Sequence, residues 1–205
     1  DAQRAQFFGS VIRIAGKFRM WYAASDRSVY YESREMETLG YQVAYAESDD
    51  GVHWVKPNLG LVPFGGNRNN NLVAMSPTPN LKFTIPTAVF VLYEPEEKDP
   101  ARRYKMVTYG YYYAASDVAR KKHKTATFYP YFSADGLHWK SAIPVSEDGI
   151  LNDKQAPIRV YIEIGGLYKF EDIYYVAGQG GYTPSLVDPG TDTWMPNGEP
   201  SGRCM

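Results

Sequence analysis

A chain of 205 residues and 23.2 kDa, 44% hydrophobic and 22% charged, lies in the ordinary globular range and excludes disordered and collagen-like classes. Twenty-two Lys and Arg against 23 Asp and Glu leave a formal charge of -1, so no basic field exists to gather nucleic acid or anionic lipid. The single Cys204 excludes an internal disulfide and any multi-cysteine metal site, and apolar runs such as Thr87 to Tyr93 fall far short of the roughly 20 residues of a membrane helix.

Fifteen per cent aromatic residues, with 18 Tyr beside 18 Gly and 14 Pro, predict an all-β chain. Aromatic side chains suit a pleated, half-buried surface, while Gly and Pro punctuate it with turns. The chain opens at Asp1 without an initiator Met or an apolar leader. That opening reads as a processed or trimmed N-terminus and leaves a lost signal peptide open, while the secreted or periplasmic location expected for the chain rests on the functional reading below.

In chain order, the first unit reads as strands over Gly9 to Ile14, Lys17 to Ala24, Tyr41 to Ser48 and a short piece near Trp54. The second reads as Ala88 to Tyr93, Tyr104 to Tyr109, Ala126 to Ser133 and Trp139. The third supplies Val160 to Leu167 and Ile173 to Ala177 before a long loop. Two landmarks repeat between the first two units. The strand GKFRMWYAAS at 16–25 returns as RRYKMVTYG at 102–110, and YAESDDGVHW at 45–54 returns as YFSADGLHW at 131–139. LYKFEDIYYVAG at 167–178 opens the third copy. Four short antiparallel strands repeated in tandem predict the blades of a β-propeller, about three of them, in units near 8–62, 85–145 and 158–205. An ordinary β-sandwich is the alternative. Because the sequence stops within the third unit, it reads as a piece of a longer domain.

In up-and-down blades the first and third turns lie at one end and the remaining connections at the other. The tight turns Ala15-Gly16, Asp49 to Val52, Ala134 to Leu137 and Glu171-Asp172 then share one end, where only Glu94 to Arg103 is longer. The long segments Asp26 to Gly40, Pro57 to Thr84, Tyr111 to Lys124, Lys140 to Pro157 and Gln179 to Ser201 gather at the opposite rim, the candidate binding site. Asp50-Gly51 and Asp135-Gly136 read as turn pairs with packing anchors in Trp54 and Trp139, and His53 and His138 as turn residues rather than a metal pair. His123, in the basic run at 121–124, reads as a solvated cluster. No metal site and no organic cofactor is predicted.

The stretch 163–176, EIGGLYKFEDIYYV, resembles the third-blade signature of the five-bladed propellers of glycoside hydrolase families 32 and 43. The run from Tyr45 to Gly60 and the triplet Asn69, Asn70 and Asn71 resemble proteins grouped loosely with family 32. The resemblance covers most of the chain. It implies a carbohydrate substrate and a general-acid role for Glu163. The family also carries an Asp-Pro in each of its first two blades, where this chain has Phe8-Gly9 and the carboxylate-free position Pro86. Glycoside hydrolysis needs a second group across the sugar, about 5 to 9.5 Å from the acid. Asp26, Asp117 and Asp153, all in rim connections, are the candidates, each with an alternative as a loop or capping residue. Enclosure at a propeller centre predicts a raised Glu163 pKa, keeping the acid protonated near neutral pH. Tyr30, Tyr31, Tyr111, Tyr112 and Tyr113 stand at the end suited to stacking on sugar faces, with Gln179 as a further polar contact. The rival functions are a propeller that binds glycan without cleaving it and a protein-interaction propeller.

Overall fold

The structure, a computed structural model, describes residues 4–25, 42–76, 85–113, 124–142 and 162–180. These form ten strands: β1 Arg4–Ile14, β2 Lys17–Ser25, β3 Gln42–Ser48, β4 Ala74–Ser76, β5 Ile85–Tyr93, β6 Tyr104–Tyr113, β7 Lys124–Ser133, β8 His138–Ser141, β9 Ile162–Phe170 and β10 Ile173–Gly180. A single 3-10 turn at Pro100–Arg102 is the helical element among the described residues. The all-β expectation holds, and the sheets are mostly antiparallel.

The described strands form three sheets, of three, five and two strands rather than four each, and β4, which falls between the first two expected units, joins the second sheet. The first runs β1-β2-β3, the second β4-β8-β7-β6-β5, and the third is the hairpin β9-β10. Every contact is antiparallel except β4 with β8, where Ala74 to Ser76 run alongside His138 to Lys140. The repeat is visible in the register: Phe18 faces Ser48 in the first sheet and Tyr104 faces Ser133 in the second. Both first hairpins of the outer sheets close with two residues, Ala15-Gly16 and Glu171-Asp172. Ala15 and Gly16 both take positive φ, 50° and 87°, the sense that matches the right-handed twist of the strands they join.

Packing layers the sheets in order. One face of the first sheet and the facing side of the second bury Trp21, Val43, Tyr45, Val89, Val91, Tyr104, Met106, Tyr131 and Trp139 in one cluster. Trp21 lies at its centre, fully buried, with ring centroids 5.5 Å from Tyr45, 5.9 Å from Tyr104 and 6.5 Å from Trp139. The other face of the second sheet, through Ala88 and Phe90, meets Ile164 of β9, with Val107, Leu167 and Val176 at the margin.

The two DG turns are built alike. Ser48 and Ser133 accept from the amides of Asp50 and Asp135 at 3.3 Å and of Gly51 and Gly136 at 2.9 Å. The Asp Oδ1 atoms accept from Val52 and Leu137 at 2.8 Å and from the His53 and His138 amides at 2.7 and 2.8 Å. The indoles of Trp54 and Trp139 donate to the carbonyls of Gly51 and Gly136 at 3.1 and 2.9 Å. Each His Nδ1 sits against its own Asp, at 2.6 and 2.8 Å, as turn residues should.

The copies differ in what surrounds the glycine. A Cβ on Gly51, at φ 79°, would meet only the Phe18 ring at 3.4 Å, whereas on Gly136, at φ 78°, it would stand 2.7 Å from Trp21. Both Ala variants carry the roughly 1–2 kcal/mol cost of left-handed backbone. Gly136→Ala adds the displacement of a core indole, so in paired urea titrations it should lose about 1 kcal/mol more than Gly51→Ala. Equal losses would mean that the indole gives way freely.

Several elements differ from the sequence reading. β1 begins at Arg4 and β5 at Ile85, earlier than expected, because Gly9 and Pro86 interrupt pairing without ending the strands, and β7 begins at Lys124 and β9 runs on to Phe170, also beyond the expected bounds. Tyr111 to Tyr113 belong to β6 and Gln179 to β10 rather than to rim loops. Pro57 to Thr84 is not one rim connection. Val55 pairs with Glu47 and Leu72 with Ala44, so an outer strand leaves β3, makes an excursion and returns. Its polar residues hold that excursion: Asn70 Nδ2 donates to the Val62 carbonyl at 2.8 Å, and Asn71 Nδ2 to the Tyr45 carbonyl at 2.6 Å and the Tyr22 hydroxyl at 2.9 Å. Asn70 and Asn71 thus satisfy backbone groups that a loop packed over a sheet would otherwise strand.

Candidate functional site

The first strand of each unit is irregular near the same end. In β1, Gln6 pairs with Ala23 and Ser10 with Trp21, so Phe7, Phe8 and Gly9 stand against Tyr22 alone. In β5, Pro86 pairs with Gly110 and Ala88 with Tyr109, leaving Thr87 as the extra residue. In β9, Gly166 pairs with Ala177 and Ile164 with Gly178, leaving Gly165. The local sequence accounts for each. Pro86 has no N–H to offer the ladder, and at Gly9 and Gly165 the missing Cβ lets the backbone fold out of register. At Gly9 the approach is very close, since a Cβ there would stand 2.3 Å from the Trp21 carbonyl oxygen.

These bulges align in space. Ser10 Oγ accepts from the Val91 amide at 2.8 Å, tying β1 beside β5, and Ile164 packs on Ala88 and Phe90, bringing β9 beside β5 on its other side. All three irregularities fall at the end where β2 and β6 leave their sheets, the rim of the sequence reading. A bulge bends its strand and re-aims the residues next to it, which is why bulges recur beside binding sites.

Glu163 lies at this end, two residues before the bulge at Gly165, and pairs across the hairpin with Gln179. Tyr111 and Tyr112 occupy the corresponding end of β6, opposite Ala126 and Thr125, and Tyr111 also faces Ile85 of β5. The structure therefore puts Glu163 and Gln179 side by side in one hairpin and sets the two tyrosines at the same rim on the neighbouring sheet. Asp26, Asp117, Asp153, Tyr30 and Tyr31 lie outside the described residues.

A different constellation occupies the tight-turn end. Glu94, at the close of β5, accepts from Lys105 of β6 and, at 2.8 Å each, from Lys169 of β9 and the Tyr174 hydroxyl of β10. Lys105 is buried, and its three N–H bonds are spent on Glu94 at 2.6 Å, Glu97 at 3.0 Å and the Arg102 carbonyl at 2.8 Å. Burial works to raise the Glu94 pKa, but the hydrogen bonds from Lys105, Lys169 and Tyr174 outweigh it and bring the carboxyl down to about 2. A cleft of about 440 Å³ opens here, walled in part by Tyr93, Glu94, Glu97 and Lys169. Glu94, Glu97 and Lys169 in its wall are already paired, and it lies at the opposite end of the strands from Glu163. Sequence reading noted Lys169 within a motif and missed its partner, because Glu94 sits 75 positions away.

Among the described residues no group of three or more His, Cys, Asp or Glu is arranged to hold a metal ion, and no helix is long and apolar enough to cross a membrane. No family model and no curated protein matches the chain. Among solved structures it is similar to a candidate glycoside hydrolase from Parabacteroides distasonis, at 13% identity over 88% of this chain and 44% of that one, with a TM-score of 0.43. It is also similar to an N-acetylgalactosamine deacetylase from F. plautii in complex with blood group B trisaccharide, at 13% identity over 91% and 44% of the two chains and a TM-score of 0.44. A glycosyl hydrolase from Bacteroides ovatus gives 12% identity, 89% and 62% coverage and a TM-score of 0.38. The chain spans 44% of the length of the first two and 62% of the third.

Proposed function

We propose that the layered sheets are neighbouring blades of a β-propeller, that the bulged ends of β1, β5 and β9 face a central funnel, and that this funnel takes a carbohydrate on which Glu163 acts as general acid. The observation that carries the reading is the threefold bulge. Each unit bends its first strand near the same end, and in the third unit Glu163 stands beside the bend. Successive face-to-face packing of the three sheets supports a radial arrangement, since each blade must cover its neighbour. In this reading the Glu163 carboxyl protonates the leaving glycosidic oxygen as the bond to the anomeric carbon breaks. A second carboxylate, for which Asp26, Asp117 and Asp153 are the candidates, meets the developing positive charge or activates water. The tyrosines at the β6 end would stack on sugar faces, and the proposal carries a secreted or periplasmic location with it.

One observation favours a second reading, in which the funnel binds sugar without cleaving it. The bulged stretches of β1 and β5 hold Phe7, Phe8, Gly9, Pro86 and Thr87, with no carboxylate among them. Assays of the full-length protein on aryl furanosides and pyranosides, with calorimetry on the same sugars, separate the two. For an active enzyme, Glu163→Gln should lower turnover by about 100-fold or more, the usual worth of a positioned acid, while sugar binding stays within about twofold. Turnover retained in Glu163→Gln would remove the acid assignment. Binding without turnover by the unaltered protein would establish the second reading.

A further inference from the structure

Among the described residues the hairpin β9-β10 is a two-stranded sheet, and two strands alone are at best marginally stable in water. The support described for it is its docking on the second sheet. One face meets the second sheet through the small patch around Ile164, while on the hairpin Tyr168, Phe170 and Tyr175 are 48%, 62% and 36% exposed. The apolar contact lies toward the rim half of β9. The other half is attached by polar groups: Lys169 and Tyr174 reach across to Glu94, and both Lys105 and Lys169 place their ammonium groups over the Tyr174 ring, at 5.7 and 5.4 Å.

The partners in this attachment are unequal. Lys105 belongs to the second sheet, and all three of its hydrogen-bond partners, Glu94, Glu97 and the Arg102 carbonyl, lie outside the hairpin, so the Glu94 to Lys105 pair draws none of its hydrogen bonds from β9-β10. Lys169 and Tyr174 belong to the hairpin and are more exposed. Glu94 therefore offers a fixed, charged acceptor that the hairpin can take up or release as a body.

We propose that Glu94 is the latch of the third unit: seated on Lys105, it captures Lys169 and Tyr174, and β9-β10 keeps its folded, docked form only while that latch is closed. Unlatching is a local opening, confined to residues 162–180, that leaves the first two sheets intact. A consequence follows for chemistry. Glu163 and Lys169 stand on the same strand, so an open latch also takes Glu163 away from the rim. That consequence rests on the function proposed above, whereas the latch does not.

Hydrogen exchange by mass spectrometry on the full chain tests it. Glu94→Gln and Lys169→Met should each speed exchange of the β9-β10 amides by about 10-fold, the worth of a lost charge-assisted hydrogen bond. Tyr174→Phe should speed it less, and in all three variants exchange in 17–25 and 42–48 should stay within about twofold of the unaltered chain. Lys169→Met decides the matter should Glu94→Gln fail to fold, because it leaves the Glu94 to Lys105 pair in place. Unchanged hairpin exchange in Lys169→Met overturns the latch, as does a rise shared equally by 42–48. A chain in which Lys169→Met loosens the hairpin while Glu163→Gln leaves turnover untouched keeps the latch and loses the acid.

Discussion

Trp21→Ala is expected to cost the fold about 4 kcal/mol, the scale of removing a fully buried Trp from a core that cannot collapse around the void. Trp21 fills the space between the first two sheets, touching Tyr45 on its own sheet and Tyr104 and Trp139 on the other. Its Nε1 donates to the Gly136 carbonyl at 2.7 Å, so it also pins the second DG turn to the first sheet. That carbonyl keeps a second donor, Trp139 Nε1 at 2.9 Å, and no buried acceptor is stranded by the substitution. The loss is therefore packing and the cavity it leaves, not an orphaned polar group.

Trp54 is the informative control. It repeats in sequence as Trp139, but it is half-buried and packs against the outward face of the first sheet with Tyr22, Ala46 and Leu72. Trp54→Ala should cost only about 1–2 kcal/mol, the value of a partly buried side chain. Urea midpoints of the two variants, compared at equal slope, give the answer. If Trp21→Ala lost no more than Trp54→Ala, the first two sheets would not be the single cooperative body that the shared cluster describes.

What the sequence makes legible follows from how far its signals reach. The DG turns are local: Ser48, Asp50, Gly51, His53 and Trp54 satisfy one another within seven positions, so the motif carries its own geometry and repeats it at Ser133 to Trp139. The hairpin turns are legible for the same reason. The strand ends are not, because Gly and Pro mark interruptions of pairing as readily as terminations, and only tertiary packing decides between them. At Pro86 and Gly9 the strand continues on both sides of the interruption, which displaced the expected starts of β5 and β1 toward the chain's N-terminal side. The excursion between Val55 and Leu72 misleads in the opposite sense. Its density of Gly, Pro and Asn reads as a free loop, while Asn70 closes it on itself through the Val62 carbonyl and Asn71 fastens it to β3 through the Tyr45 carbonyl.

Of the candidate site, Glu163 was singled out by a short motif, whereas its pairing with Gln179 was not legible, because β10 was expected to end at Ala177 and Gln179 to open a rim loop. The latch was illegible, since nothing in the neighbourhood of Glu94 announces Lys169 and Tyr174, which come from a hairpin 75 and 80 positions later. Long-range ion pairs of this kind have no periodicity and no spacing rule. They become visible only once two strands have been placed side by side.

Gly9→Ala is the second substitution expected to do large damage, about 3 kcal/mol, at the upper end of the cost of forcing atoms into a filled space. An added methyl would meet the Trp21 carbonyl oxygen at 2.3 Å and the Tyr22 Cα at 3.3 Å, and both are backbone atoms of the paired strand. Neither can rotate aside as a side chain would. Either the bulge flattens or β1 moves off β2, and because Ser10 ties β1 to Val91 of β5, movement of β1 is transmitted to the second sheet. Gly165→Ala in the equivalent bulge of β9 is the contrast: its nearest neighbours lie 3.9 Å away, an ordinary contact, so it should be tolerated within about 0.5 kcal/mol. If the bulged ends form the sugar funnel, Gly9→Ala should also weaken saccharide binding at temperatures where the chain is still folded, while Gly165→Ala leaves it nearly intact. Loss of stability with binding preserved would show that the bend in β1 serves only packing, and the funnel would have to be sought at other strand ends.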